Sequence, residues 1–112
     1  MTRESLGEFE QLVLLAIVRL SGDGVVYGVP IVDEIERCTK RTVARAAVYI
    51  TLRRLEQKGL VSSWMSEPTE ARGGKARRCV KLTRAGVQTL RESRHAIDEM
   101  WRGLDPQLRD TR

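Results

Sequence analysis

Three side chains that could bind a polyanion recur at four-residue spacing near the middle of the sequence: Arg45, Tyr49 and Arg53. On a helix, this spacing places all three on one face. Guanidinium groups form bidentate, charge-assisted hydrogen bonds with phosphate, and a phenol hydroxyl can bond to the same oxygens. The row therefore predicts a helical face that contacts the backbone or the base edges of a nucleic acid.

Further basic and polar residues surround this row. One of them flanks it on the helix, three form a turn before the helix, and three lie in a glycine-containing loop after it: Arg54, Lys40, Arg41, Thr42, Arg72, Lys75 and Arg77. Arg45, near the N-terminus of the helix, is predicted to contact bases. Tyr49 and the loop cations are predicted to contact phosphates, which supply affinity rather than sequence preference.

The positive charge of the chain is concentrated in its centre. The 112 residues carry a formal net charge of +5. Residues 1–36 hold two basic and seven acidic side chains, residues 37–84 hold thirteen and three, and residues 85–112 hold five of each. A scattered excess would indicate only a solvated surface, whereas a central segment at +10 indicates a polyanionic partner.

Residues that could support catalysis or bind a metal are few and isolated. His95, the single histidine, lies among charged residues on a predicted exposed helix face. Cys38 and Cys79 are forty-one residues apart without a CxxC motif, which argues against a zinc site and against a disulfide framework. The glycines match neither phosphate-loop spacing. The sequence predicts a protein that is not an enzyme and uses no metal or cofactor.

The longest apolar run, Leu12–Val18, gives no sign of membrane insertion or export. It is too short to cross a bilayer. It also follows Glu8 and Glu10 rather than a basic leader, which argues against a signal peptide. We therefore expect a cytoplasmic protein without a membrane partner.

Hydrophobic periodicity predicts a mostly α-helical fold with a small β-hairpin. The predicted elements are helices at 6–20, 29–38 and 43–58, strands at 60–66 and 77–82, a last helix within 83–104, and a flexible tail at 105–112. Residues 25–27 could add a short strand. Three helices, a hairpin and a helix follow the order of a winged helix-turn-helix, so residues 1–82 are predicted to form a DNA-binding domain.

The first and last helices are predicted to pair with a second copy of the chain. The first helix is apolar on more than one face, and the last carries a heptad pattern with one arginine in it. The predicted interface residues are Phe9, Val13, Val87, Leu90, Arg94, Ile97, Trp101 and Leu104. Packing of this stripe on the chain's own domain is the alternative.

Several motifs are shared with a known family: VYITLRRLEQKGLV at 48–61, GGKARR at 73–78, KLTRAG at 81–86, and Tyr27-Gly28 before the second helix. With them, most of the chain resembles the PadR family of transcriptional regulators, in its short form with one C-terminal helix. The resemblance implies a homodimeric, usually repressing regulator. It also implies that the first and last helices form the dimer, and that Tyr49 and the basic wing contact DNA.

Two segments depart from the pattern of the family. Ala44-Arg45-Ala46 replaces the usual Ser-Pro-Gly turn, so the capping hydroxyl is lost at position 44, and Thr42 is expected to cap one turn earlier. Residues 75–80 keep the charge of the wing but lack its usual tyrosines.

Trp101 is a candidate effector residue, because some members of the family stack small aromatic ligands on a tryptophan of the last helix. An indole buried in the dimer seam is the alternative. Together, these observations predict a homodimeric, sequence-specific repressor that binds double-stranded DNA, and the family resemblance adds release by a small aromatic effector as an option. The competing hypothesis is a winged-helix module that binds an acidic protein partner.

Overall fold

The computed structural model describes residues 6–67 and 76–108, which form helices around a small antiparallel sheet. The helices are α1 (Glu8–Leu20), α2 (Gly28–Thr39), α3 (Arg45–Gln57), α4 (Arg84–Trp101) and α5 (Asp105–Leu108), and a 3₁₀ turn (Ser21–Asp23) follows α1. The strands are β1 (Val26–Tyr27), β2 (Val61–Met65) and β3 (Arg78–Leu82). The predicted fold class, mostly helical with a small sheet in the order of a winged helix-turn-helix, is confirmed.

One hydrophobic core holds α1, α2 and α3 together. Leu14 and Ile17 of α1, Ile31 of α2, and Val48 and Leu55 of α3 are each at most 1% exposed. Burial of an aliphatic side chain of this size stabilises the fold by about 1.5–3 kcal/mol. The inner face of α3 is therefore held by packing, and its outer face remains free of the core.

Val13 belongs to this core and not to a surface between subunits. Its side chain is 0% exposed, so it cannot reach a second chain, which corrects the interface prediction at this position. Phe9, one turn earlier, is partly buried and packs against the same core. The apolar residues that α1 exposes are Leu15 and Val18. Periodicity showed that α1 is widely apolar but not which face the core takes.

The sheet has three strands, with β3 in the centre between β1 and β2, and both pairings are antiparallel. Val80 of β3 lies between Val26 of β1 and Ser63 of β2. The sequence predicted the β2–β3 hairpin, and β1 extends it into a sheet. This pairing places the wing directly beside the start of α2.

The first turn of α4 is fixed to the segment that joins α3 to β2. The hydroxyl of Thr83, the N-cap residue of α4, accepts a hydrogen bond from the Gly86 N–H at 3.0 Å and donates one to the Gly59 carbonyl at 2.7 Å. A Cβ on Gly86 would collide with the backbone carbonyl of Leu60. Glycine is thus required at position 86 for α4 to approach this closely.

The C-terminal segment differs from the prediction in two ways. Helix α4 ends at Trp101, three residues before its predicted end. Asp105–Leu108 forms the short helix α5, although a tail without regular structure was predicted there. Gly103, with φ of 80°, turns the chain, and Pro106 sits near the start of α5, where its fixed φ is helical. Residues 109–112 lie outside the described residues.

Candidate nucleic-acid interface

The outer face of α3 presents the predicted row of contacts. Arg45, Tyr49 and Arg53 are all exposed, with Tyr49 45% accessible, and Arg54 is exposed beside them. None of the four belongs to the hydrophobic core, which is formed on α3 by Val48, Leu52 and Leu55. The helix thus separates into a packed side and a charged side, as the four-residue spacing predicted.

The turn before α3 is held by a carboxylate that the sequence analysis missed. Glu36 of α2 accepts a hydrogen bond from the Val43 N–H at 2.8 Å. Ala44 is the N-cap residue of α3 and provides no side-chain bond, and no described hydrogen bond gives Thr42 the capping role predicted for it. A carboxylate seven residues before the amide that it binds leaves no recognisable capping motif in the sequence.

Lys40 and Arg41 are the two basic residues of the turn before α3. Lys40 ends α2 in the left-handed region, with φ of 61°, and its side chain is exposed. The Arg41 guanidinium pairs with the Glu8 carboxylate of α1 at 3.0 Å. Because both partners are exposed, this ion pair contributes little to stability and leaves Arg41 free to exchange partners.

Tyr49 lies directly over the first residue of α2. A Cβ built on Gly28 would be 2.7 Å from Cζ and 2.8 Å from the hydroxyl oxygen of Tyr49. Only a residue without a side chain therefore accommodates the ring in this position. This contact explains the glycine of the Tyr27-Gly28 motif.

A cleft joins Tyr49 to the base of the wing. It encloses about 490 Å³ and is lined by Tyr27, Gly28, Val29, Pro30, Tyr49, Arg77 and Arg78. The Arg77 guanidinium lies 5.0 Å from the centroid of the Tyr27 ring, within the range of a cation–π contact. The structure therefore brings a predicted cation of the wing and a predicted residue of α3 to one surface.

Arg78 is a further basic residue of this surface, and it was not among the predicted contacts. Its guanidinium donates to the Ser63 hydroxyl at 2.7 Å, and that hydroxyl donates to Glu56 of α3 at 2.8 Å. The position of Arg78 at the end of the GGKARR motif could have indicated this role from the sequence. Arg72 and Lys75, also predicted as DNA contacts, lie outside the described residues.

Two carboxylates hold the helices that carry this surface. Glu34 of α2 accepts hydrogen bonds from Arg37 at 2.6 Å and from Arg19 of α1 at 2.7 Å, and these bonds lower its pKa to about 2. Glu10 of α1 binds Lys58, beyond the end of α3, at 2.9 Å. Burial raises the pKa of Glu10, but the bonds from the Gly7 N–H and Lys58 outweigh it and the net shift is downward.

The predicted seam on α4 is mostly uncovered. Ile97 is 51% and Trp101 49% exposed, and Val87 is exposed to a smaller extent. Leu104 is also exposed, but it lies beyond the end of α4 and so is not on the helix where the heptad pattern placed it. Met100 adds a further exposed apolar side chain that was not predicted.

The two remaining seam residues have partners within the chain. Leu90 is half-buried and packs against the domain's own core, and Arg94 is exposed and pairs with Asp98 at 3.3 Å. An open, largely apolar groove of about 430 Å³ lies between α1 and α4, lined by Gln11, Leu15, Leu90, Arg91, Arg94, Ile97 and Asp98. Trp101 is not part of this lining.

The profile of the transcriptional regulator PadR-like family matches residues 14–92, which span the second half of α1, all of α2 and α3, the wing and half of α4. The chain belongs to the PadR-like family. Among its relatives is the transcriptional regulator Rv3488 of Mycobacterium tuberculosis, 35% identical over 96 residues that make up 85% of each chain. This PadR-like chain is thus a DNA-binding transcriptional regulator, and its family is not one of enzymes.

Solved structures show the same fold. A PadR-like transcriptional regulator from Bacillus cereus superimposes with a TM-score of 0.70 at 17% identity, over 92% of this chain and 93% of that one. A PadR family regulator from Clostridium difficile also gives 0.70, at 22% identity, over 91% of this chain and 99% of that one.

Neither a metal-binding cluster nor a membrane-spanning helix lies in the part of this PadR-like chain that the structure describes. No group of three or more His, Cys, Asp or Glu side chains there could hold a metal ion. None of the helices there has the length and apolar character needed to span a bilayer.

Proposed function

We propose that this PadR-like chain acts as a homodimeric repressor that inserts α3 into the major groove of a specific operator and places its wing on the adjacent backbone. The observation that carries this proposal is the cleft in which Tyr49 of α3 meets Arg78, the first residue of β3, and Arg77 immediately before it. A helix with its side chains fits the major groove, and cations on both sides of it can reach phosphates.

The contacts are assigned by position on this surface. Arg45, at the start of α3, contacts bases, because a guanidinium can bond twice to guanine. Phosphates are bound by the other residues predicted from the sequence: Lys40, Arg41, Thr42, Tyr49, Arg53, Arg54, Arg72, Lys75 and Arg77. Their exposure on α3, on the preceding turn and at Arg77 supports this assignment.

The dimer is proposed to form through α4 and the exposed face of α1. Ile97, Met100 and Trp101 leave an apolar surface on the last turns of α4, and Leu15 and Val18 do so on α1. Leu15 and Ile97 line the same groove, and apolar residues exposed together in this way are typical of interfaces. Ile97→Asp combined with Trp101→Asp should produce monomers in sedimentation and abolish operator binding, and a double variant that stays dimeric would place the seam elsewhere.

Release by a small aromatic effector is proposed to act through Trp101. The indole, on the last residue of α4, is half-exposed in the single chain and also belongs to the proposed dimer surface, so a planar ligand stacked on it would compete with the second chain. In a Trp64→Phe background, Trp101 is the only tryptophan, so quenching of its fluorescence by planar aromatic compounds tests the site. Fluorescence quenching by a compound that leaves operator affinity unchanged would contradict an effector role. The proposal that the protein represses transcription is a separate one and rests on the family resemblance.

The proposal is tested with DNA fragments selected from the source genome by the purified full chain. Fluorescence anisotropy should give an affinity that falls steeply with salt, with a log–log slope of about −0.9 for each neutralised phosphate. Arg45→Ala and Tyr49→Ala should weaken binding, and the selected fragment should outcompete both heparin and unrelated duplex. Equal competition by heparin and all duplexes would instead favour a general cation surface for an acidic partner.

A further inference from the structure

Two apolar side chains occupy the centre of the outer face of α3. Ala46 and Ile50 are one helical turn apart and both are exposed, and Ile50 at 59% is more accessible than Tyr49. At 100° per residue, positions 46 and 50 lie almost opposite the buried positions Val48 and Leu52. These two residues are therefore the part of α3 that reaches farthest from the core.

A single exposed apolar residue on a protein surface does not by itself indicate a binding site. The charged residues around this apolar pair distinguish it from that case. Arg53 lies on one side of the pair around the helix, and Arg54 lies on the other. Cations on both flanks would deter a second apolar protein surface from covering the pair, but they match a duplex, whose phosphates line both edges of a groove. The charge pattern thus favours a base edge as the partner of the apolar centre.

We propose that Ile50, with Ala46 beside it, recognises the 5-methyl group of thymine in the major groove. The inference rests on the proposed function, because it requires α3 to enter that groove. A pyrimidine 5-methyl is the apolar group that the groove displays, and aliphatic side chains contact it. Arg45 then reads guanine while Ile50 reads thymine, so α3 discriminates at adjacent base pairs by two different kinds of contact.

The size of the effect follows from the area of one methyl group. Burial of a methylene-sized group contributes ~0.8 kcal/mol, which corresponds to an affinity change of about fourfold. Replacement of the contacted thymine by deoxyuridine removes only this methyl and leaves every hydrogen-bonding group in place. The wild-type chain should lose about fourfold in affinity at that position and little at thymines elsewhere.

The experiment scans each thymine of the selected fragment with deoxyuridine and measures binding of the full chain by anisotropy. Ile50→Ala should weaken binding to the thymine fragment. The variant should bind the thymine and deoxyuridine fragments with the same affinity, because the alanine side chain is too short to reach the methyl group. Ile50 is exposed and Ala favours helix, so this variant keeps the fold. Arg53→Ala is the matched control on α3, and it should weaken both fragments by the same factor.

A further arm separates thymine from other sources of the methyl. At the sensitive position, a C·G pair should bind weakly, and 5-methylcytosine in its place should recover up to about fourfold relative to unmodified cytosine.

The outcomes separate this inference from the proposed function. Specific DNA binding without a sensitive thymine, or with a sensitivity that Ile50→Ala retains, would overturn the role of Ile50 and leave operator binding intact. If the chain selects no DNA at all, the operator function fails and the role of Ile50 fails with it.

Discussion

Replacement of Gly28 by alanine should weaken DNA binding through Tyr49 while leaving the domain folded. Gly28 is the first residue of α2, and its φ is not in the left-handed region, so alanine fits the backbone there. The added Cβ would meet the end of the Tyr49 ring rather than any backbone atom. Because that ring is half-exposed, it can swing away at little cost in stability.

The expected magnitude follows from the two distances. Carbon atoms in contact are about 3.5–4.0 Å apart. A Cβ that lies 2.7 Å from Cζ therefore displaces the ring by about 1 Å. An O–H···O hydrogen bond spans about 2.5–3.0 Å, so this shift breaks a bond from the hydroxyl to phosphate. Bonds to charged groups contribute about 1.5–3 kcal/mol, so affinity should fall roughly 10- to 150-fold per subunit.

The assay combines anisotropy on the selected operator with thermal unfolding. Gly28→Ala and Tyr49→Phe should lose similar affinity, and the unfolding midpoint of Gly28→Ala should remain near that of the wild type. In a Tyr49→Ala background no ring remains to be displaced, so Gly28→Ala should have no additional effect on binding. A Gly28→Ala variant that binds normally while Tyr49→Phe does not, or an undiminished loss in the Tyr49→Ala background, would refute this reasoning.

Three further substitutions test the scaffold. Because folding lowers the Glu34 pKa to about 2, the wild type should be more stable than Glu34→Gln above pH 4.5, and this difference should disappear as the pH falls toward about 2. Urea unfolding at a series of pH values measures the difference, and a difference that is constant with pH would contradict this prediction. Gly86→Ala should destabilise by about 1–3 kcal/mol through its collision with the Leu60 carbonyl, whereas the control Gly22→Ala, with open space around it, should change stability little. Lys40→Gly should relieve the left-handed backbone and stabilise by up to about 1 kcal/mol, yet reduce the salt slope of DNA binding by about 0.9 per subunit; an unchanged slope would remove Lys40 from the interface.

The sequence predicted those features that depend on local periodicity. The apolar spacing of Val48, Leu52 and Leu55 fixed the inner face of α3, and the charged row then had to lie outside it. The cap at Thr83 was also predictable, because a hydroxyl immediately before a helix has a local partner.

Features that depend on contacts between distant segments could not be predicted in this way. The bond from Val43 to Glu36 replaces a missing cap, and the contact of Gly28 with Tyr49 joins residues twenty-one positions apart. The burial of Val13 depends on which of several apolar faces of α1 meets the core. Each of these three features depends on how distant segments pack together, and a periodic sequence pattern does not contain that information.

The close docking of α4 against the carbonyl of Leu60 has a geometric consequence for the proposed dimer. Thr83 and Gly86 hold the first turn of α4 against the segment that follows α3. The crossing angle of two paired α4 helices would therefore set the distance between the two copies of α3 in the dimer. Half-sites about one turn of the duplex apart, ~34–36 Å, suit one such angle. Repacking around Ile97 would then change the half-site spacing that the protein accepts while leaving the sequence preference of each half-site as it was.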